Sequence, residues 1–170
     1  MTVPTALIYP PESTLAALSR YQLQAPVDVV RIAEDHFGIA VWRQQLEPGV
    51  SGKLMRDPEN GGPSGFSILV ADDEPHVRQR FTIAHEIAHF VLHRQAVDRM
   101  GGEVQDDVFY RSGMNTAQEA EANRYAADLL MPSALINNLI ILGITQVDVL
   151  AKRLGVSEAA LKIRLGIPVA

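Results

Sequence analysis

The interpretation of this chain starts from one segment, Arg80-Phe81-Thr82-Ile83-Ala84-His85-Glu86-Ile87-Ala88-His89-Phe90-Val91-Leu92-His93. Its centre, from His85 to His89, reads His-Glu-x-x-His. Each residue of an α-helix advances by about 100°, so the two histidines lie one turn apart on the same face. Two imidazoles at that spacing can bind one tetrahedral cation, and Glu86 lies within reach of a water molecule activated there. The pattern predicts a metal-binding helix, with an amphipathic helix that carries two histidines by chance as the alternative.

The residues around this motif favour a helix that is packed into the protein core. Ala84 and Ala88 are small enough to let a neighbouring element approach closely. The apolar side chains expected of a docked helix are Ile83, Ile87, Phe90 and Val91. We predict that this helix runs from about His76 to Arg94.

A zinc site with two histidines needs a further protein ligand, and the next predicted helix offers one. That helix begins near Asn115 or Thr116 and runs to Pro132. Glu119 is the better ligand candidate, because it lies on the face that is expected to pack against the histidine helix. Glu121 lies about 200° around the helix from it and is the reserve candidate.

Glu119 also has a purely structural interpretation. The sequence Thr116-Ala117-Gln118-Glu119 fits a capping box, in which Glu119 would hold the start of its own helix. The two upstream histidines favour the ligand role, since a two-histidine site without a carboxylate would be incomplete. His93, one further turn along the histidine face, is expected to line the pocket or support the site, because a third imidazole there would be strained away from the metal.

The remaining pattern predicts an α+β fold. Helices are expected at about 13–23 and from Asp28 to about 37. Three short strands are predicted at 39–42, 49–54 and 66–71, with a turn-rich loop at 57–65. Three strands beside helices indicate a small sheet that is covered on one side.

Composition restricts the class of protein. The chain has 170 residues, a formal charge of −5 and a pI near 5.5, so no global positive field would attract nucleic acid or acidic membranes. It has no cysteine, which excludes disulfides and cysteine-type zinc sites. The first residues lack the pattern of a signal peptide, and no apolar run is long enough to span a bilayer. We expect one cytoplasmic domain.

These motifs together resemble the ImmA/IrrE family of small bacterial metallopeptidases. The similarity covers about 29–132, and two of its blocks are highly specific. The blocks are Val50-Ser51-Gly52 with Leu54, Arg80 to Phe90 with Leu92-His93, and Glu119-Ala120-Glu121-Ala122-Asn123-Arg124-Tyr125-Ala126-Ala127-Asp128-Leu129-Leu130-Met131-Pro132. Tyr125 stands where phenylalanine is common, and Ala88 where glycine is common.

The resemblance implies a zincin-like core. This core has a small three-stranded sheet, the His-Glu-x-x-His helix, a glutamate-bearing helix and a helical C-terminal tail. In these terms residues 1–132 form the metallopeptidase core with its N-terminal helices, and residues 133–170 form a helical extension of the same domain. It further implies that His85, His89 and Glu119 bind the metal and that Glu86 is the catalytic carboxylate.

The resemblance also implies a function. Family members act on helix-turn-helix repressors of the Xre type, and others are linked to toxin–antitoxin pairs. The expected cofactor is Zn²⁺, with another divalent ion such as Mn²⁺ possible, and the expected partner is an Xre-type repressor or an antitoxin. A donor for the oxyanion is still required, and Tyr110, Arg111 and His93 are the candidates.

Two other functions remain open. Residues 145–165 have the pattern of two short helices, with Gly155 ending the first and Ser157 capping the second, which is typical of a helix-turn-helix. Their charge, four basic residues against two acidic ones, is only +2, so we favour a helical pair packed on the core over direct binding to nucleic acid. The second alternative is a toxin or antagonist that holds its partner without cleaving it.

Overall fold

The computed structural model describes residues 15–107 and 113–169, and it places a four-stranded sheet beside a set of helices. The strands are β1 (Ile39–Gln44), β2 (Val50–Arg56), β3 (Phe66–Ala71) and β4 (Glu103–Asp107). Their order across the sheet is β1-β3-β2-β4. β1 is parallel to β3, and β2 is antiparallel to both β3 and β4. The predicted α+β class is confirmed.

The fourth strand corrects the prediction of a three-stranded sheet. β4 lies in the segment 101–115, which we expected to be a loop. It reads Glu103-Val104-Gln105-Asp106-Asp107, where Val104 is the only apolar residue and is buried. An edge strand pairs along one side only, so β4 can form without the apolar alternation by which strands are predicted.

The helices differ from the prediction mainly near the N-terminus. The helix predicted at 13–23 is a 3₁₀ helix, Leu15–Tyr21, and residues 13 and 14 lie outside the described residues. The second predicted helix is one short turn, α1 (Val29–Arg31), that continues as a π-helical turn, Ile32–His36. The others are α2 (His76–Leu92), α3 (Arg94–Arg99), α4 (Thr116–Leu130), α5 (Ser133–Ile141), α6 (Val147–Leu154) and α7 (Glu158–Leu165). No helix in the described part of the chain has the length and apolar character that a membrane span requires.

Helix α2 is the centre of the packing. It contacts β2, β3 and α4, and nearly all its residues from Gln79 to Phe90 are buried. It ends at Leu92, two residues earlier than predicted, because His93 leaves the helical conformation with φ −124° and ψ 24°. Helix α3 then starts at Arg94.

The close approach of α2 to β2 depends on Gly52. A Cβ atom at this position would overlap Thr82 Cγ2 and would lie 3.2 Å from the carbonyl oxygen of Leu69. It would also lie 3.7 Å from Glu86 Oε1. The missing side chain at Gly52 therefore lets Thr82 of α2 pack directly against the sheet, with the Glu86 carboxylate close by.

Arg80 joins three distant parts of the chain. It is 7% exposed, and its guanidinium donates hydrogen bonds to the carbonyl oxygens of Val27 at 2.8 Å and Gly155 at 3.0 Å. Burial lowers the pKa of this guanidinium, and the nearby Asp28 carboxylate opposes that shift. The N-terminal region, α2 and the end of α6 are thus held together by one side chain.

The C-terminal helices also contact the core through Arg164 of α7. It donates a hydrogen bond to the Met131 carbonyl oxygen at 3.1 Å and pairs with Asp128 of α4 at 2.9 Å. We propose on these contacts that residues 133–170 extend the same domain as residues 1–132.

Candidate metal centre

Three side chains from two helices converge on one point. His85 and His89 lie in α2, and Glu119 lies in the first turn of α4. The Nε2 atoms of the two histidines are 2.9 Å apart. Glu119 Oε2 lies 3.3 Å from His85 Nε2, and Glu119 Oε1 lies 3.5 Å from His89 Nε2. Ligand atoms of all three residues fall within 4.8 Å of one another, so the set could hold a metal ion.

The donor set fits zinc. A tetrahedral zinc ion with ligand distances of about 2.0–2.2 Å needs ligand atoms about 3.3–3.6 Å apart. The two distances from Glu119, 3.3 and 3.5 Å, match this value, and the 2.9 Å between the histidine nitrogens is shorter. The two histidine nitrogens also approach each other so closely that lone pairs on both would repel without a proton or a cation between them. Imidazole nitrogen and carboxylate oxygen are both common zinc ligands.

Glu119 is available for this role because another residue caps its helix. Asn115 Oδ1 accepts a hydrogen bond from the backbone N–H of Gln118 at 2.9 Å. Gln118 Oε1 accepts one from the backbone N–H of Asn115 at 3.0 Å. The capping box is therefore formed by Asn115 and Gln118. The box that we considered from Thr116 to Glu119 was displaced by one residue.

A hydrogen-bonded chain leads from His89 to the surface. His89 Nδ1 lies 3.0 Å from His93 Nδ1, and His93 Nε2 lies 2.9 Å from Glu121 Oε2. If His89 Nε2 offers its lone pair to a metal, its Nδ1 carries the proton and donates a hydrogen bond to His93 Nδ1. His93 then donates from Nε2 to the Glu121 carboxylate. The reserve ligand Glu121 thus contacts His93 and is not among the grouped ligand atoms.

His85 is oriented in the same way by Asn123. Its Nδ1 lies 2.9 Å from Asn123 Oδ1, and an amide oxygen can only accept. The proton of His85 is therefore on Nδ1, and the lone pair of Nε2 points toward His89 and Glu119. The hydrogen bond with Asn123 thus gives His85 the tautomer that metal binding requires.

The surroundings of His89 favour its neutral form by lowering its pKa. Burial lowers its pKa most strongly, the hydrogen bond with Glu119 raises it, and positive charge on His85 or His93 would lower it further. A neutral imidazole keeps the lone pair with which it binds a metal.

Glu86 lies next to this centre and is completely buried. It follows His85 directly in α2, and its carboxylate faces β2 at Gly52. The Glu86 carboxylate is therefore shielded from bulk solvent.

The structure brings together five of the residues that the sequence singled out, namely His85, Glu86, His89, His93 and Glu119. Tyr110 and Arg111 lie outside the described residues. Asn123 was not predicted as a site residue, although it lies four residues after Glu119 on the same face of α4. That spacing was the available signal, but its contact with His85 depends on how α2 and α4 pack.

Comparison with known proteins identifies a family and shows similarity to solved structures. Residues 34–166 match the peptidase family described as the IrrE N-terminal-like domain. A solved structure named "Mycobacterium tuberculosis transcriptional regulator" is similar to the chain with a TM-score of 0.58 and 20% identity, which shows the fold alone. The similarity covers 94% of this chain and 48% of that protein, so the chain spans about half its length. No curated protein matches the chain significantly. Because the family match covers most of the sequence, the chain belongs to the peptidase family of the IrrE N-terminal-like domain.

Proposed function

We propose that the chain is a zinc-dependent endopeptidase that acts on an Xre-type repressor or an antitoxin. One observation carries this proposal: the ligand atoms of His85, His89 and Glu119 meet within 4.8 Å, and the buried Glu86 follows His85 directly in α2. Membership of a peptidase family supports the reaction class. The identity of the metal as zinc and the identity of the partner are our own proposals, in addition to what the family match gives.

The chain's own residues supply the proton transfers. A zinc ion held by His85, His89 and Glu119 would lower the pKa of a water molecule to about 7 and polarise the scissile carbonyl group. Glu86 accepts the proton of the attacking water and then donates it to the nitrogen of the leaving amine. Its burial keeps bulk water from competing for that proton.

His93 serves to orient His89. Both of its ring nitrogens have hydrogen-bond partners, His89 on one side and Glu121 on the other. An imidazole used in this way has no free N–H for a developing oxyanion. We therefore propose Tyr110 or Arg111 as the oxyanion donor in place of His93.

The partner is proposed from the family resemblance and its link to gene regulation. The structural relative is itself named a transcriptional regulator, a description of that protein alone. For this chain we propose an Xre-type protein encoded beside its gene as substrate.

Glu86→Gln tests the proposal. This variant should bind zinc with the wild-type stoichiometry and should cleave the adjacent Xre-type protein at least about 100-fold more slowly, because the general base is lost. Cleavage is followed by mass spectrometry of the purified pair. Glu158→Gln, at an exposed position of α7, is the control and should cleave normally. Undiminished cleavage by Glu86→Gln would refute the assignment.

The same experiment addresses a partner that is held without cleavage. If the chain is such a toxin or antagonist, the wild-type protein and the Glu86→Gln variant should bind the Xre-type protein with the same affinity. Neither of them should produce fragments of it.

A further inference from the structure

A groove lies between α2, α4 and α7, next to the candidate metal centre. It encloses about 610 Å³, within the range of about 300–1,000 Å³ that is usual for ligand pockets. A smaller cavity of about 280 Å³ shares four of its lining residues and extends it toward the start of α7. The four shared residues are Arg78, Phe81, Ala160 and Ile163.

The groove adjoins the metal centre at two residues. Asn123 lines the groove and also bonds to His85, a ligand candidate. Phe81 lies one helical turn before His85 and lines the groove from the α2 side. A polypeptide with its scissile bond at the metal could therefore place a neighbouring side chain in this groove.

The groove is lined by apolar side chains and by three arginines against one aspartate, so its net charge is positive. Phe81, Ala127 and Ala160 contribute apolar surface, and Ile163, which is 71% exposed, also lines the groove.

Its three arginines differ in their surroundings. Arg164 is paired with Asp128, and Arg78 lies 3.7 Å from Glu74. Arg124 is exposed and has no ion-pair partner among the residues that the structure describes. As far as the described side chains show, the groove thus offers one guanidinium without an ion-pair partner beside apolar surface.

We propose that this groove binds the substrate segment next to the scissile bond, and that it selects a large apolar side chain with an acidic residue close to it. The apolar side chain occupies the space at Ala127, and the acidic residue pairs with Arg124. This inference rests on the proposed peptidase function, whose substrate class it narrows.

The test uses random peptides displayed on phage, selected on zinc-loaded Glu86→Gln protein. The selected peptides should share a large apolar residue with Asp or Glu nearby. Adding Arg124→Glu should lower the enrichment of acidic peptides by about threefold to fivefold, as for an exposed ion pair. Adding Ala127→Leu should remove the preference for large apolar residues, because the new side chain fills the groove. Both variants should keep the zinc content of the parent protein.

Arg153→Glu is the matched control. It makes the same change of charge at an exposed residue of α6 that lines neither cavity, and it should leave both preferences unchanged. No shared sequence preference, or a preference that survives both Arg124→Glu and Ala127→Leu, would overturn the proposal. Wild-type protein is then incubated with the enriched peptides. If they bind but are not cleaved, the peptidase proposal fails and the binding groove stands.

Discussion

At the scale of single residues, the candidate centre combines local spacing with contacts between helices. The spacing of His85 and His89 is a property of one helix and was predicted from the sequence. The partners Asn123 and Glu121 face those histidines only because α4 packs on α2. No spacing rule within α2 could have assigned them.

The different positions of Glu119 and Glu121 predict different effects on metal binding. Glu119→Ala removes a ligand and should weaken zinc binding by more than about 100-fold. Glu121→Ala removes the acceptor for His93 and should weaken it by about 10-fold to 100-fold, with the stoichiometry retained. Competition with a chelating dye gives the affinities. The reverse ranking would show that Glu121 is the ligand.

At the scale of elements, two junctions fix the centre: the start of α4 and the contact of α2 with β2. Neither follows from hydrophobic periodicity. The cap at Asn115 differs by one residue from the sequence interpretation, because Asn115 and Thr116 are adjacent and both residue types are good N-caps. The strand β4 was missed because an edge strand with four polar residues has no apolar alternation.

The observed cap predicts which residue stabilises α4. Asn115→Ala should lower the free energy of unfolding by about 1 kcal/mol, since it leaves the Gln118 amide without its acceptor. Thr116→Ala should change it by less than about 0.5 kcal/mol. Urea unfolding of the metal-free proteins measures both. A larger effect of Thr116→Ala would mean that the cap is at Thr116.

The contact of α2 with β2 predicts a compensating pair of substitutions. Gly52→Ala should destabilise the protein by about 1–3 kcal/mol, because the added methyl group overlaps Thr82 Cγ2. Thr82→Ser removes that methyl group, so the double variant should recover much of the loss. A double-mutant cycle measured by urea unfolding shows the coupling. Additive effects would mean that the two residues do not compete for space.

At the scale of the whole molecule, the fold class and the order of the principal elements were predictable, but the connections between distant segments were not. Apolar strands such as β3 and the long helices have strong local patterns. The hydrogen bonds from Arg80 to Val27 and Gly155 span 53 and 75 residues, and no local pattern encodes them.

A substitution at Arg80 tests how much the hydrogen bonds between α2, Val27 and Gly155 stabilise the fold. Arg80→Met keeps much of the apolar stem but leaves the Val27 and Gly155 carbonyl groups without this donor, so we expect a loss of about 2–4 kcal/mol in the free energy of unfolding. Arg153→Met, at an exposed position, is the control and should be nearly neutral. Urea denaturation followed by circular dichroism measures both. Equal stability of the two variants would show that Arg80 does not stabilise the fold.

The distribution of the ligand candidates over two helices affects how a newly made chain matures. His89 and Glu119 belong to helices that are separate in the sequence and adjacent in the fold. An ion bound by both would contribute its binding free energy to the docking of α4 on α2, and it would contribute nothing to either helix alone. The supply of metal in the cell would then determine how many molecules reach their final form as well as how many are active.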